Sequence, residues 1–132
     1  MFISYGMRKH SLLYTAFVLV ALLGVVHVIA ETFYLYWTLW WFDNVSHFLG
    51  GLALGVFIVW FLNPEKRSPG SFLTVLACLL ALGVAWEIFE YINDLSYSIE
   101  GYALDTTTDL IMDALGATLA YFLTTSQSQQ FS

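Results

Sequence analysis

Carboxylates and histidines recur in this chain at helical spacing, inside stretches that are otherwise apolar. His27 and Glu31 are four residues apart, as are Asp43 and His47, and Asp109 and Asp113; Glu87 and Glu90 are three apart. Spacings of three and four put each pair on one face of a helix. Carboxylate oxygens with imidazole nitrogens are a ligand set for Zn²⁺, Mn²⁺ or Fe²⁺, and Mg²⁺ or Ca²⁺ are favoured where carboxylates dominate. In four-helix bundles such centres are built from inward-facing side chains at these spacings. The eight residues are therefore candidate ligands of a divalent metal ion (Zn, Mn, Fe, Mg or Ca), with Glu87 or Glu90 as the catalytic base if the ion activates a water. The only cysteine, Cys78, lies mid-run in an apolar stretch, so a soft thiolate site is excluded and no disulfide framework exists. Two rival readings of the same residues are a proton- or cation-translocating set and a hydrogen-bonded structural network. Taken singly, His27 reads as a hydrogen-bonding core residue, Asp43 and Asp105 as helix N-caps, and Asp94 as a solvated boundary residue.

The apolar setting is that of a membrane. Of 132 residues 59% are hydrophobic and only 11% charged, against roughly 25% charged in soluble domains. A span needs about 20 mostly apolar residues, and four such stretches, at about residues 12–32, 42–62, 72–92 and 106–124, use nearly the whole length. The expected fold is all-α: one transmembrane domain over residues 1–132, a four-helix bundle multi-pass in the cell (plasma or inner) membrane. A charge at the centre of a span costs about 2.5–3.5 kcal/mol on insertion scales, so acids there mark a functional site by default. The net charge of −6 argues against nucleic acid and against recruitment by anionic lipid, and leaves membrane lipid as the expected partner. Arg8 and Lys9 before an apolar run, with Val28-Ile29-Ala30 after it, could pass for a signal peptide. The run is too long for the usual core of roughly 7–15 residues and reads as a retained first span.

Orientation follows from the basic residues. Arg8, Lys9, Lys66 and Arg67 flank the start of the first span and the Pro-containing link after the second. The positive-inside rule makes that face, with both termini, cytoplasmic. Of the ten acidic residues only Glu65 shares it. The outer face is bordered by the aromatic run from Phe33 to Phe42, expected to anchor the bundle at headgroup level, and by a loop over 95–108 that is either an ordinary interfacial loop or a lid. At about 1.5 Å rise per residue, His47, Glu87 and Asp113 lie roughly 6–12 Å inside the outer ends of their helices. The tail beyond Thr124 is Gln/Ser-rich and expected to fray. Gly50, Gly51 and Gly55 suit close helix packing, within the chain first and as a homo-oligomer seam through Gly51 and Gly55 second.

Three motifs are also familiar. Asp43-Asn44-Val45-Ser46-His47-Phe48 with Gly50-Gly51, Trp86-Glu87-Ile88-Phe89-Glu90-Tyr91, and Asp105-Thr106-Thr107-Thr108-Asp109 followed by Gly116-Ala117 resemble the YjdF-like family of bacterial inner-membrane proteins over roughly residues 40–120. More distantly the chain resembles the VanZ-like proteins, associated with glycopeptide-antibiotic resistance, in which an amide often stands where Glu90 and Asp113 stand here. Asp43, His47, Glu87 and Asp109 fit both comparisons. Together with their matching depths, this makes them the expected inner shell, with Glu90 and Asp113 next and His27 and Glu31 supporting. The resemblance implies the fold and the weight of the motifs, and no chemistry.

Three functions remain at this level: a metal-dependent enzyme acting on a lipid or lipid-linked head group at the outer leaflet, a transporter of protons or divalent cations, and a scaffold with a structural polar core. A transport path needs polar groups through the full membrane thickness. The cytoplasmic halves of the first three spans offer only Tyr14, Thr15, Thr74 and Cys78, which weighs against a path within one protomer.

Overall fold

In a computed structural model the described residues, 2–62, 71–93 and 101–129, form five helices: α1 (Phe2–Thr32), α2 (Leu35–Thr38), α3 (Phe42–Leu62), α4 (Phe72–Ile92) and α5 (Tyr102–Gln129). Side chains are described for 10–62, 71–93 and 101–126. Arg8, Lys9, the link 63–70, Asp94 and Glu100, which carry much of the expected orientation and the first part of the outer loop, lie outside these residues.

α3 and α4 keep the boundaries expected from their apolar runs. Ser71 caps α4, its hydroxyl accepting from the Thr74 N–H at 3.2 Å. The others depart from expectation for identifiable reasons. α5 starts at Tyr102, not Thr106, because Gly101 takes φ 124, where a side chain would be strained. The Gly101 carbonyl then accepts from Leu104 N–H at 2.8 Å and Asp105 N–H at 3.0 Å. Asp105 is thus in the first turn of α5 and is not its N-cap, and 102–108 is helix, not loop. Asp43 likewise sits within the first turn of α3. At the other end α5 stays helical to Gln129 where fraying was expected. Thr124 and Thr125 donate back to the Ala120 and Tyr121 carbonyls, each at 2.7 Å, so their hydroxyls need no water.

The aromatic run is divided. Tyr34 at φ 55 ends the chain's path out of α1, and Leu35–Thr38 forms a single helical turn with Tyr36 buried. Trp40, 86% exposed, points away and suits the headgroup role expected of the run.

α3 is the central helix, packed between α1 and α5, while α4 lies mainly on α5. Glycine sets the α3–α5 distance. A Cβ at Gly51 would overlap the Asp113 carbonyl oxygen and stand 2.6 Å from Asp113 Cα; one at Gly55 would lie 2.8 Å from Ala117 Cα. A Cβ at Gly116 would reach the Phe48 carbonyl oxygen in the opposite direction. These glycines are used inside the chain. Apolar clusters fill the half of the bundle away from the acids: Ile58, Val59, Val75, Leu79 and Ala117 form one, Ala16, Val56 and Ala120 the other.

Among the described residues three helices contain stretches long and apolar enough to cross a membrane: His10–Thr32, Phe42–Leu62 and Phe72–Ile92. α5, with Asp105, Asp109 and Asp113, is not among them. Its threonines reduce that polarity, since Thr107, Thr108 and Thr118 each return their hydroxyl proton to the carbonyl four residues back. The outward faces carry large exposed apolar side chains such as Phe17, Val25, Phe61, Leu73 and Ile88. In water such a surface would aggregate; in a bilayer it is solvated.

Candidate functional site

His47 is the centre of the polar cluster. It lies in the second turn of α3, 8% exposed, with one turn before it Asp43 and across the glycine seam Asp109 and Asp113 of α5. Its Nε2 stands 3.9 Å from Asp43 Oδ1 and 3.9 Å from Asp109 Oδ1, and its Nδ1 stands 3.5 Å from Asp113 Oδ1. The close α3–α5 approach produces this grouping, because Gly51 lets α3 rest on the backbone of Asp113 itself. The Asp113 carboxylate lies beside two more glycines. A Cβ at Gly50 would be 4.0 Å from Asp113 Oδ1, and one at Gly83 of α4 would be 3.2 Å from Asp113 Oδ2.

α4 brings Glu87 and Glu90. Glu87, 5% exposed, accepts a hydrogen bond from Thr106 Oγ1 at 2.8 Å through Oε2, and its main-chain carbonyl accepts from Tyr102 OH at 3.1 Å. The first turn of α5 is thereby tied to α4. Glu90 and Asp43 are half-buried and form the rim.

Two sets of donors come within 4.8 Å of one another: Asp43, His47 and Asp109, and His47, Glu87 and Glu90. Ligands sharing one ion at about 2.0–2.6 Å stand roughly 3–5 Å apart. The 3.9 Å separations around His47 Nε2 are too long for hydrogen bonds and fall in that range. Glu87 Oε1 and Asp109 Oδ1 are buried with no hydrogen-bond partner among the described residues. A buried carboxylate oxygen left in that state is costly; a cation relieves it. No Lys or Arg is among the residues whose side chains are described.

Of the eight residues singled out from sequence, five (Asp43, His47, Glu87, Glu90 and Asp109) fall in these sets. Asp113 meets the other ring nitrogen of His47, the place of a residue that orients a ligand. His27 and Glu31 stand in neither set. His27 Nδ1 lies 3.0 Å from Tyr36 OH, which lies 3.1 Å from Ser46 Oγ. Burial raises the Tyr36 pKa above its ordinary value, and the charges of Asp43 and Glu31 add to this. Tyr36, Ser46, Tyr102 and Thr106 were not anticipated as part of the site. The signal for Ser46 and Thr106 was their position: Ser46 adjoins His47, and Thr106 stands one turn before Asp109.

The family described as "Predicted membrane protein (DUF2238)" matches residues 2–130. An uncharacterized protein of Thermotoga maritima is 31% identical over 88 residues, covering 61% of this chain and 46% of that protein. The chain thus matches less than half the length of that relative. No solved structure matches the chain. The more distant VanZ-like resemblance gains no support from these matches.

Proposed function

This chain belongs to the DUF2238 family of predicted membrane proteins, and on that premise we propose that it is a divalent-metal-binding, multi-pass membrane protein whose pocket opens toward the outer headgroup layer. In this reading α5 crosses as a fourth span, its three aspartates turned into the bundle, and both termini are cytoplasmic. The observation that supports the metal assignment is the arrangement around His47: Nε2 faces two carboxylates and Nδ1 a third, beside the buried oxygens of Glu87 and Asp109 that have no hydrogen-bond partner among the described residues. With its Nδ1 proton directed at Asp113, the ring would present the Nε2 lone pair toward Asp43 and Asp109, the usual carboxylate–histidine–metal order.

The ion would supply Lewis acidity or an activated water. Glu90 on the rim, or Glu87 beneath it, would serve as base toward a lipid or lipid-linked head group. Transport through one protomer fits less well, because the apolar cluster of Ile58, Val59, Val75, Leu79 and Ala117 fills the end of the bundle away from the acids, which this reading makes cytoplasmic. The test is thermal unfolding in mild detergent. Chelator should lower the melting temperature and one of Mn²⁺, Zn²⁺, Fe²⁺, Mg²⁺ or Ca²⁺ should restore it; indifference to all of these would refute the metal reading.

A further inference from the structure

The five candidate ligands around His47 form two sets and not one. Within 4.8 Å of one another stand donor atoms of Asp43, His47 and Asp109, and of His47, Glu87 and Glu90. Both sets draw on His47, yet its Nδ1 is turned to Asp113 at 3.5 Å, and a neutral imidazole offers a single lone pair. An ion on Nε2 would lie with Asp43 and Asp109, each 3.9 Å from that nitrogen. Glu87 and Glu90 of α4 are then left as a carboxylate pair with no nitrogen donor.

An ion at His47 would leave that pair unsatisfied in two respects. Each set holds one buried carboxylate oxygen without a hydrogen-bond partner among the described residues, Asp109 Oδ1 in the first and Glu87 Oε1 in the second. Glu87 is 5% exposed, and Thr106 donates to its Oε2 at 2.8 Å, which fixes the carboxylate and leaves Oε1 for another partner. The other respect is charge. Asp43, Glu87, Glu90, Asp109 and Asp113 are five carboxylates, and no Lys or Arg is among the residues whose side chains are described. One divalent ion leaves the cluster at about −3, and two bring it to about −1. Uncompensated buried charge is costly.

We propose that Glu87 and Glu90 hold a second divalent ion beside the one at His47, so that the pocket is a two-ion centre. This rests on the metal assignment above. The two sites differ in kind. The His47 site has a nitrogen donor and suits Zn²⁺ or Mn²⁺. The second is all-oxygen and suits a hard ion such as Mg²⁺, Mn²⁺ or Ca²⁺; Mg²⁺ in particular is commonly held by one or two carboxylates, with water in its other positions. Glu90 is half-buried at the rim, so this ion exchanges with solution while the His47 ion stays through purification. Bound through one oxygen, Glu90 keeps the other for the base role given to it above.

The experiment uses the full chain in mild detergent, stripped with chelator and titrated with Mn²⁺ alone. Calorimetry reads the binding and electron paramagnetic resonance reads the bound ions. About two Mn²⁺ should bind per chain, the second at least about tenfold more weakly than the first. Because both sets meet at His47, the second Mn²⁺ should couple to the first and broaden away the hyperfine pattern of an isolated ion. Glu90→Gln, a change at the rim, should take up about one Mn²⁺ per chain with that pattern retained. Absence of Mn²⁺ binding would overturn the metal assignment and this proposal with it. A single Mn²⁺ in the parent, the result if protons neutralise the remaining carboxylates, would overturn this proposal alone. So would a second Mn²⁺ that does not couple to the first, or a Glu90→Gln protein of unchanged helix content that keeps both ions or loses both.

Discussion

Replacing Gly51 by alanine tests the link between the helix seam and the site. The new Cβ would stand 2.6 Å from Asp113 Cα and 2.7 Å from Asp113 C, where carbon atoms rest at about 3.5–4.0 Å. All the clashing atoms are backbone, so no rotamer relieves the overlap and α3 must part from α5 by about 1 Å. Overpacking of this kind costs about 1–3 kcal/mol, offset by about 1 kcal/mol from the better helix propensity of alanine. The expected result is a net loss of up to about 2 kcal/mol, together with weaker cation binding, because the same movement carries Asp109 and Asp113 away from His47. Gly24→Ala is the control. Nothing lies within 4 Å of its Cβ, so only the propensity gain remains and stability should rise slightly. Unfolding by SDS in mixed micelles, followed by circular dichroism, reads both. The loss should not depend on protein concentration, as it would if Gly51 formed a seam between chains. A Gly51→Ala protein stabilised as much as Gly24→Ala, with cation binding unchanged, would refute the close α3–α5 approach.

Thr106→Val removes the donor to Glu87 Oε2 and should cost about 1–3 kcal/mol by leaving a buried carboxylate oxygen unpaired; Thr107→Val, whose bond is local and exposed, should be close to neutral in the same unfolding assay. Tyr36→Phe keeps the ring against Phe42 and loses the contacts to His27 and Ser46, for about 0.5–1.5 kcal/mol per bond. Because the folded-state pKa of Tyr36 is raised from 10.0, its contribution is fully present below that pH and lost as pH rises through the raised value; the Phe variant should lack this alkaline step in a stability–pH titration. Topology is checked with an impermeant thiol reagent on intact cells after Cys78 is replaced: a cysteine at Ser98 should label and one at Ser68 should not, and the reverse pattern would invert the orientation.

What could be read in the sequence was whatever a single periodicity determines. The bounds of α3 and α4 follow from apolar runs broken by Pro64, Pro69 and Gly70. Placing Asp43, His47, Glu87, Glu90 and Asp109 at one end of one bundle needed only their spacing and depth. Which nitrogen of His47 meets which carboxylate depends on the glycine seam, a tertiary fact, so Asp113 was ranked as a lesser ligand when its contact is with the opposite ring nitrogen. His27 fitted the spacing rule equally well, yet its partner is Tyr36, delivered by a one-turn helix hidden in an aromatic run. The early start of α5 turned on the backbone of Gly101, which can signal a loop as readily as a helix boundary. α5 is not among the apolar spans, since the same aspartates that supply the site lower its hydropathy.

The central claim is that the cluster around His47 holds a cation, and elemental analysis of protein purified in mild detergent without chelator tests it most directly, with Asp109→Asn measured beside the parent. Asp109 contributes a buried oxygen without a hydrogen-bond partner among the described residues, and the amide removes its charge with little change in volume. The account predicts about one divalent ion per chain in the parent, its loss in Asp109→Asn with helix content retained, and no loss when Glu65 or Glu100 is replaced. A parent protein that carries no divalent ion and takes up none of Zn²⁺, Mn²⁺, Fe²⁺, Mg²⁺ or Ca²⁺ on titration would contradict it.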